Sequence, residues 1–511
     1  MKSIPSTPID SAQAYHFKPN DLNPLTITSF KAYDIRGELG VNLDEDIAYR
    51  IGRAFAQFLK PVAAFDHANA SHADTSNHTA QKNAIVIGCD VRPSSDALKQ
   101  AAIAGILDAG VDVIDLGMTG TEEVYFATSY YDALGGIEVT ASHNPINYNG
   151  LKLVREGSRP ISADTGLADI RRIAEAGEFA TPSARGTYTL RDDKTAYIDH
   201  LLSYIDVSAL KPLTIVVNPG NGSAAPVIDH IEQRFIAAGA PIRLIKLNYA
   251  PDGSFPNGIP NPMIVANRQV TADKLLVEHA DLAIAFDGDF DRCFFFDENG
   301  RFIEGTYLVG VLAQAFLDKE PHANIVYDPR NILNTENIIA QAGGVPVMSK
   351  SGHSFIKQIM REHNAVYGGE MSAHHYFRDF NYCDSGMIPW LLVIELLSKS
   401  GKSLSALVDA MIAAYPISGE INFKLTGVSA KDVLAKLAET YATFDDGAAT
   451  INTIDGLSVD FADWRLNMRA SNTEPLLRLN VETRGDAAKL AAKTQAISDW
   501  IIAQGGQLAD H

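Results

Sequence analysis

"NAIVIGCDVRPSSDALKQAAIAGILDAGVDVIDLG", residues 83–117, decides the fold. It opens on an apolar, β-branched run, Ala84 to Ile87. A polar turn follows from Asp90 to Ser95. The helix pattern "DALKQAAIAGILDAG" comes next and stops at Ala109-Gly110, and the apolar run "VDVIDLG" closes the unit. Strand, turn, helix, strand in this order is a βαβ unit, which requires a parallel sheet covered by helices. The unit recurs twice. "LTIVVNPGNGSAAP", residues 213–226, leads into the helix pattern "VIDHIEQRFIAAGA" and the strand "IRLIKL". "NIVYDPRN", residues 324–331, leads more weakly into "TENIIAQAGG" and "VPVMS". Three copies predict three related α/β domains with mixed or parallel sheets, rather than one large sheet.

The last hundred residues read differently. "INFKLTG", "SVDFADWRLNMRAS" and "LLRLNVETRG" are strand patterns, and "AKDVLAKLAETYA" and "DAAKLAAKTQAISDWIIAQ" are helix patterns. This mixture predicts a smaller C-terminal α+β domain. A chain of 511 residues is too long for one hydrophobic core. The expected domains are 1–190, 191–300, 301–417 and 418–511, arranged around a central cleft.

Composition excludes several classes. The net charge of −19 argues against a nucleic-acid partner, which needs a basic face. An anionic substrate must then be held by a local basic pocket or a metal. The most apolar run, Met387 to Leu397, is short and contains Pro389 and Glu395, so no membrane span is expected. The N-terminus has no apolar h-region and reads as no signal peptide. Three scattered cysteines, Cys89, Cys293 and Cys383, fit a reducing compartment, and the expected location is cytoplasmic. No obligate protein partner is evident. Residues 66–83 are expected to form a flexible loop, whose histidines are spaced five and six apart and match no common ligand pattern.

The chemistry begins with "DLAIAFDGDFDRCFFFDENG", residues 281–300. Asp287, Asp289 and Asp291 alternate at the end of an apolar run. Carboxylates crowded there repel by ~4 kcal/mol per pair at 4 Å with an effective dielectric of about 20. A divalent cation relieves that repulsion, and all-oxygen ligands favour Mg²⁺, Mn²⁺ or Ca²⁺ over zinc. An EF-hand is excluded, because Arg292 stands where its loop glycine belongs. A phosphatase with a nucleophilic aspartate and a plain polar turn are the competing readings.

"EVTASHNPINYNG", residues 138–150, places Ser142 beside His143 and just before Pro145. A phosphate on Ser142 would supply an oxygen for the cation. The hydroxyl is a weak nucleophile needing electrostatic help, for which His143 and Lys152 are the nearby candidates. Adjacent residues on an extended segment face opposite ways, so Ser142 and His143 need not form a dyad, and an Asx turn is the bland alternative. "MRASNTEPLLRLNVE" gathers Arg469, Ser471, Asn472, Thr473 and Arg478, a donor set suited to an oxyanion. "YGGEMSAHHYF" alternates Glu370, Ser372 and His374, which suits sugar hydroxyls better than a metal. "FKAYDIRG" adds Tyr33 and Arg36, and "MSKSGHSFIK" adds Lys350 and His353. Basic groups thus recur at strand ends, where open parallel sheets bind ligands.

Taken together, "FKAYDIRG", "TASHNP", "DGDFDR", "GEMSAHH" and "RASNTEP" resemble the α-D-phosphohexomutase superfamily, in the same order and from about residue 28 to the C-terminus. Within it, "GIEVTASHNP", "AFDGDFDR" and "GGEMSAHHYFRDFNYCDSGMIPW" are most similar to the bacterial phosphomannomutase group, which feeds GDP-mannose synthesis. The resemblance implies four domains around a cleft and a phosphoserine at Ser142. Its oxygen joins Asp287, Asp289 and Asp291 on Mg²⁺. The resemblance also implies catalytic positions at His143, Lys152, Arg36 and His374. Substrate contacts are implied for Tyr33, Arg292, Arg330, Lys350, His353, Glu370 and Ser372. The loop with Arg469, Ser471, Asn472, Thr473 and Arg478 is implied to hold the non-reacting phosphate. The implied substrate is a phosphosugar and the implied activator a hexose 1,6-bisphosphate. Arg330 replaces a lysine common in relatives, and "CDSG" replaces a pair of acids. The competing functions are a dual mannose/glucose phosphate mutase, a glucosamine-phosphate mutase, a metal-dependent sugar phosphatase and a non-catalytic sugar-phosphate sensor.

Overall fold

The computed structural model describes residues 17–31, 33–60, 81–445, 447–471 and 476–509. The loop expected at 66–83 lies almost wholly outside them, and so do Asn472 and Thr473.

Each βαβ pattern forms as the sequence requires. Ala84–Cys89, Ser95–Asp108 and Asp112–Met118 are strand, helix and strand, and the two strands pair in parallel. Leu213–Asn218, Ala225–Ala238 and Ile242–Lys246 repeat the arrangement, as do Asn324–Tyr327, Leu333–Gln341 and Val345–Met348. The structure adds what the periodicity alone did not supply. In each domain a third parallel strand turns back through a tight connection into an antiparallel one. Gly135–Val139 returns as Tyr148–Arg155, Leu282–Phe286 as Cys293–Asp297, and Tyr367–Gly369 as His375–Phe377. The three sheets therefore share one order: parallel, parallel, antiparallel, antiparallel. The loops joining the third and fourth strands are 140–147, 287–292 and 370–374, which carry the serine, the aspartates and the glutamate-histidine motif.

The fourth sheet is antiparallel throughout, in the order Thr450–Asn452, Leu457–Asp460, Trp464–Ala470, Leu476–Thr483, Ile421–Leu425, Gly506–Leu508. It has its own apolar core, from Phe423 to Ile501. The second and third sheets share a single core instead. Helix Met387–Ser400 runs through it, and Trp390 packs edge-on against Phe235 at 6.2 Å. This is the run whose apolarity stood out in the sequence. Fully burying such side chains stabilises by roughly 1.5–3 kcal/mol each, which explains the composition without a membrane. Among the described residues no helix is long and apolar enough to span one. Cys89, Cys293 and Cys383 are buried and unpaired.

Candidate active site

The connection after Val139 is bent by its own hydrogen bonds. Ser142 adopts φ 47°, a left-handed conformation uncommon for a residue with a side chain. Its N–H donates to Thr140 Oγ1 at 2.8 Å, and Thr140 Oγ1 donates to Asp90 at 2.8 Å. Arg92 holds the rest of the turn. Its guanidinium donates to the carbonyls of Ser142 (2.9 Å), Asn144 (2.5 Å), Pro145 (2.9 Å) and Tyr148 (3.1 Å). Strain at Ser142 costs of the order of 1 kcal/mol, and these bonds offset it.

The bend corrects one sequence expectation. Because Ser142 is left-handed rather than extended, its Oγ lies 3.1 Å from His143 Nδ1. That nitrogen also accepts from Arg292 Nη2 at 2.7 Å. Burial, then Arg292 and Arg36, hold the His143 imidazole well below its usual range. His143 is therefore neutral and faces a permanent cation, which makes it a poor store for a proton.

Because Arg292 fills the His143 Nδ1 lone pair, the single hydroxyl proton of Ser142 goes to Asp287 Oδ2 at 2.9 Å, across the junction of the first and second domains. The domains meet closely here. A Cβ on Gly288 would lie 2.5 Å from the Ser142 carbonyl oxygen, so only glycine fits. Thr121 Oγ1 donates to Asp289 at 2.6 Å, and Lys152 Nζ bridges Asp289 (2.7 Å) and Asp291 (2.6 Å).

The three aspartates are buried, and ligand atoms from each lie within 4.8 Å of one another. Asp289 Oδ1 and Asp291 Oδ1 are buried without a hydrogen-bond partner among the described residues. Burial pushes all three carboxyls up. Lys152 with Thr121 at Asp289, and Lys152 with His374 and Arg292 at Asp291, outweigh it and hold both below the ordinary range. For Asp287 burial prevails over Arg292, and the carboxyl rises to about 7. Hard oxygen donors with partnerless buried lone pairs fit a divalent cation. Asp291, His374 and Asp384 form a second such group. There Lys357, fully buried, already lies 2.7 Å from Asp384 and neutralises it.

The third domain contributes His374, whose Nδ1 bonds Asp384 Oδ2 at 3.0 Å. Burial lowers its pKa, but Asp291 and Asp384 together outweigh that and raise it. His353 goes the other way: burial, then Lys357, lower it to about 4. It stands edge-on to Tyr33 at 6.1 Å. Glu370 accepts from Gly352 N (2.9 Å) and Tyr376 Oη (2.6 Å). Arg330 forks onto Asp328 with two 2.9 Å bonds and reaches Ser372 Oγ at 3.2 Å. Lys350 lies over the Phe355 ring at 5.0 Å. Arg36 bonds Asn144 and Asp34, each at 2.8 Å. Arg469 and Arg478 come from the fourth domain, and both donate to Glu420 at 3.0 Å. Ser471 lies just beyond strand Trp464–Ala470.

Sequence reasoning passed over Arg92, Thr121, Lys357, Asp384 and Glu420. "CDSG" was a visible signal for Asp384. Arg92 sat in a stretch legible only as a turn, and the other three carry no local pattern.

Comparison with known proteins agrees with this geometry. Phosphoglucomutase/phosphomannomutase family models match the chain in four pieces: α/β/α domain I at residues 28–181, domain II at 195–300, domain III at 304–415 and the C-terminal domain at 420–499. A phosphomannomutase of Salmonella montevideo is 57% identical over 474 residues, covering 92% of this chain and 98% of that protein. A protein of Xanthomonas campestris named phosphohexose mutases is 52% identical over 477 residues, covering 93% and 100%. The crystal structure of a phosphoglucomutase/phosphomannomutase family protein from Burkholderia thailandensis superposes with a TM-score of 0.81 at 32% identity, covering 94% of this chain and all of that one. Three α/β domains meeting at their loop tips, with a separately cored fourth, define the α-D-phosphohexomutase class of fold. The chain belongs to the phosphoglucomutase/phosphomannomutase family.

Proposed function

We propose that the chain is a phosphomannomutase. It interconverts mannose 1-phosphate and mannose 6-phosphate through a phosphoserine at Ser142 and a hexose 1,6-bisphosphate intermediate, and so supplies GDP-mannose synthesis. The observation that carries this reading is the 2.9 Å bond between Ser142 Oγ and Asp287, which sets a strained serine against a buried acidic cluster. Asp287, Asp289 and Asp291 would hold Mg²⁺, which when bound supplies Lewis-acid neutralisation of phosphoryl charge.

In the first half reaction a sugar hydroxyl oxygen bonds phosphorus and the P–Oγ bond of phosphoserine breaks. The hydroxyl proton passes to His374. Its Nδ1 is fixed on Asp384, so Nε2 is the nitrogen left for the task. Ser142 Oγ leaves as an oxyanion beside Arg292 and His143. In the second half reaction it attacks the other phosphoryl group, the bond from that phosphorus to the sugar oxygen breaks, and His374 returns the proton to that oxygen. Arg36, His143, Lys152 and Arg292 surround the serine and orient its phosphoryl group, since positioning and charge carry most of such catalysis. Tyr33, Arg330, Lys350, His353, Glu370 and Ser372 line the sugar side. Glu370 and Ser372 offer acceptors to hydroxyls in either substrate orientation. Arg469, Ser471, Asn472, Thr473 and Arg478 take the non-reacting phosphate.

The test supplies mannose 1-phosphate, Mg²⁺ and a trace of hexose 1,6-bisphosphate as activator. A mutase yields mannose 6-phosphate with no free phosphate, whereas release of inorganic phosphate would mark a phosphatase. A dual mannose/glucose preference is the second reading, favoured by the broader name of the Xanthomonas relative. Comparing kcat/KM for the two sugars decides between them.

A further inference from the structure

Glu420 stands at the entrance to the fourth domain, immediately before strand Ile421–Leu425. Its side chain is 10% exposed. One carboxylate oxygen accepts from Arg469 Nη2 at 3.0 Å and lies 3.7 Å from Arg330 Nη1. The other accepts from Arg478 Nη1 at 3.0 Å. Burial pushes this carboxyl up, but Arg330, Arg469 and Arg478 together keep it below its ordinary range. Arg330 already has Asp328 as its own carboxylate partner. Arg469 does not share that arrangement, and its Nε is buried without a hydrogen-bond partner. Arg330 also lies 3.4 Å from Glu370, so Glu420 is the carboxylate that Arg469 and Arg478 share.

We propose that Glu420 is an internal competitor for the phosphate that Arg469 and Arg478 hold, and thereby sets how tightly the chain grips a phosphosugar. The inference rests on the reading of 469–478 as the phosphate loop. Its two oxygens occupy N–H groups of the kind that hold phosphate, with the same charge-assisted geometry. A bisphosphate must let go of this loop in each cycle so that its other phosphate can face it. An all-cationic cage would oppose that release, and a resident carboxylate lowers the barrier to exchange.

The test is steady-state kinetics of the full chain with mannose 1-phosphate, using inorganic phosphate as competitive inhibitor. Glu420→Gln keeps the shape and removes the charge. Its Ki for phosphate and its KM should both fall by at least about threefold, with kcat falling as well. A merely structural role would raise KM instead. Glu420→Asp withdraws the carboxylate by one methylene and should lower Ki in the same direction. It carries the test if Glu420→Gln does not fold. Arg469→Lys is the control on the underlying reading, since a lysine cannot reproduce the fork. If Arg469→Lys raises Ki and the Glu420 variants leave it unchanged or raise it, the competitor inference falls alone. If Arg469→Lys leaves Ki unchanged, the phosphate-loop reading falls and the inference falls with it.

Discussion

The first three domains and the fourth are joined to their neighbours by different physics. The second and third sheets share one apolar core to which the first domain adds Tyr125 and Val154, and buried polar groups lock the first domain further to both. Glu122 of the first domain accepts from the N–H groups of Gly386 (2.6 Å) and Met387 (3.2 Å) at the start of the helix in that core. Lys357 of the third domain stands 3.9 Å over the Tyr125 ring of the first. The fourth domain keeps its core to itself. It meets the third through charges: Glu482 accepts from Ile332 N (2.7 Å) and Leu333 N (3.1 Å), and Arg465 donates to the carbonyls of Pro329 and Arg330. Ångström-level chemistry at Ser142, Asp287 and His374 thus sits on the rigid body. The grip on phosphate sits on a part that can move without opening any shared core.

Four substitutions break or sharpen this contrast. Ser142→Ala, in the rigid part, should lower kcat/KM by at least about 10³-fold with little change in KM, read in the mutase assay. Asp289→Asn should cost about 10²-fold in kcat and shift the Mg²⁺ requirement to higher concentration. Its Tm should fall, because the buried carboxylate that pairs with Lys152 and accepts from Thr121 is gone. Arg478→Lys, in the separately cored part, should act mainly on KM, raising it about tenfold while kcat stays within about threefold. An equal fall in kcat would mean that the fourth domain also shapes the transition state.

The smallest effect concerns the junction itself. Burial raises Glu122 from 4.5 to about 8, against hydrogen bonds from Tyr197, Ser385, Met387 and Gly386. The folded chain then binds this proton more tightly than the unfolded chain does. Its contribution to stability is full below about pH 4.5 and is lost as pH rises through about 8. Chemical denaturation across that window should show stability falling by about 1.4 kcal/mol per pH unit, a slope that Glu122→Gln removes. A variant with an unchanged pH slope would place the titration elsewhere.

The repeat was legible because each βαβ unit carries its own period and its own stop, such as Ala109-Gly110. The antiparallel return was not, because Cys293–Asp297 is buried on both faces and Tyr148–Arg155 is buried along most of its length, so neither shows a clean alternation that would mark its direction. At the site, Asp287, Asp289 and Asp291 announced themselves by spacing, since their repulsion demands an explanation within six residues. The Ser142–His143 contact did not, because the argument from extended backbone fails at φ 47°. Glu122, Lys357 and Glu420 act across domains. Nothing local marks a glutamate that caps a helix 264 residues away. Residues 17–27 precede the motifs that carry the resemblance, yet Leu25 N–H bonds the Glu175 carbonyl at 2.9 Å and Arg50 reaches the Asn23 carbonyl at 2.9 Å, fastening part of that segment to the first domain.

Everything in the account depends on Ser142 carrying the phosphoryl group. Intact-mass analysis after incubation with mannose 1,6-bisphosphate and Mg²⁺ tests this most directly. The wild-type chain should gain the mass of one phosphoryl group and lose it when mannose 1-phosphate is added, while Ser142→Ala gains nothing. A Ser142→Ala chain that takes up the same mass, or turns over mannose 1-phosphate at the wild-type rate, would contradict it.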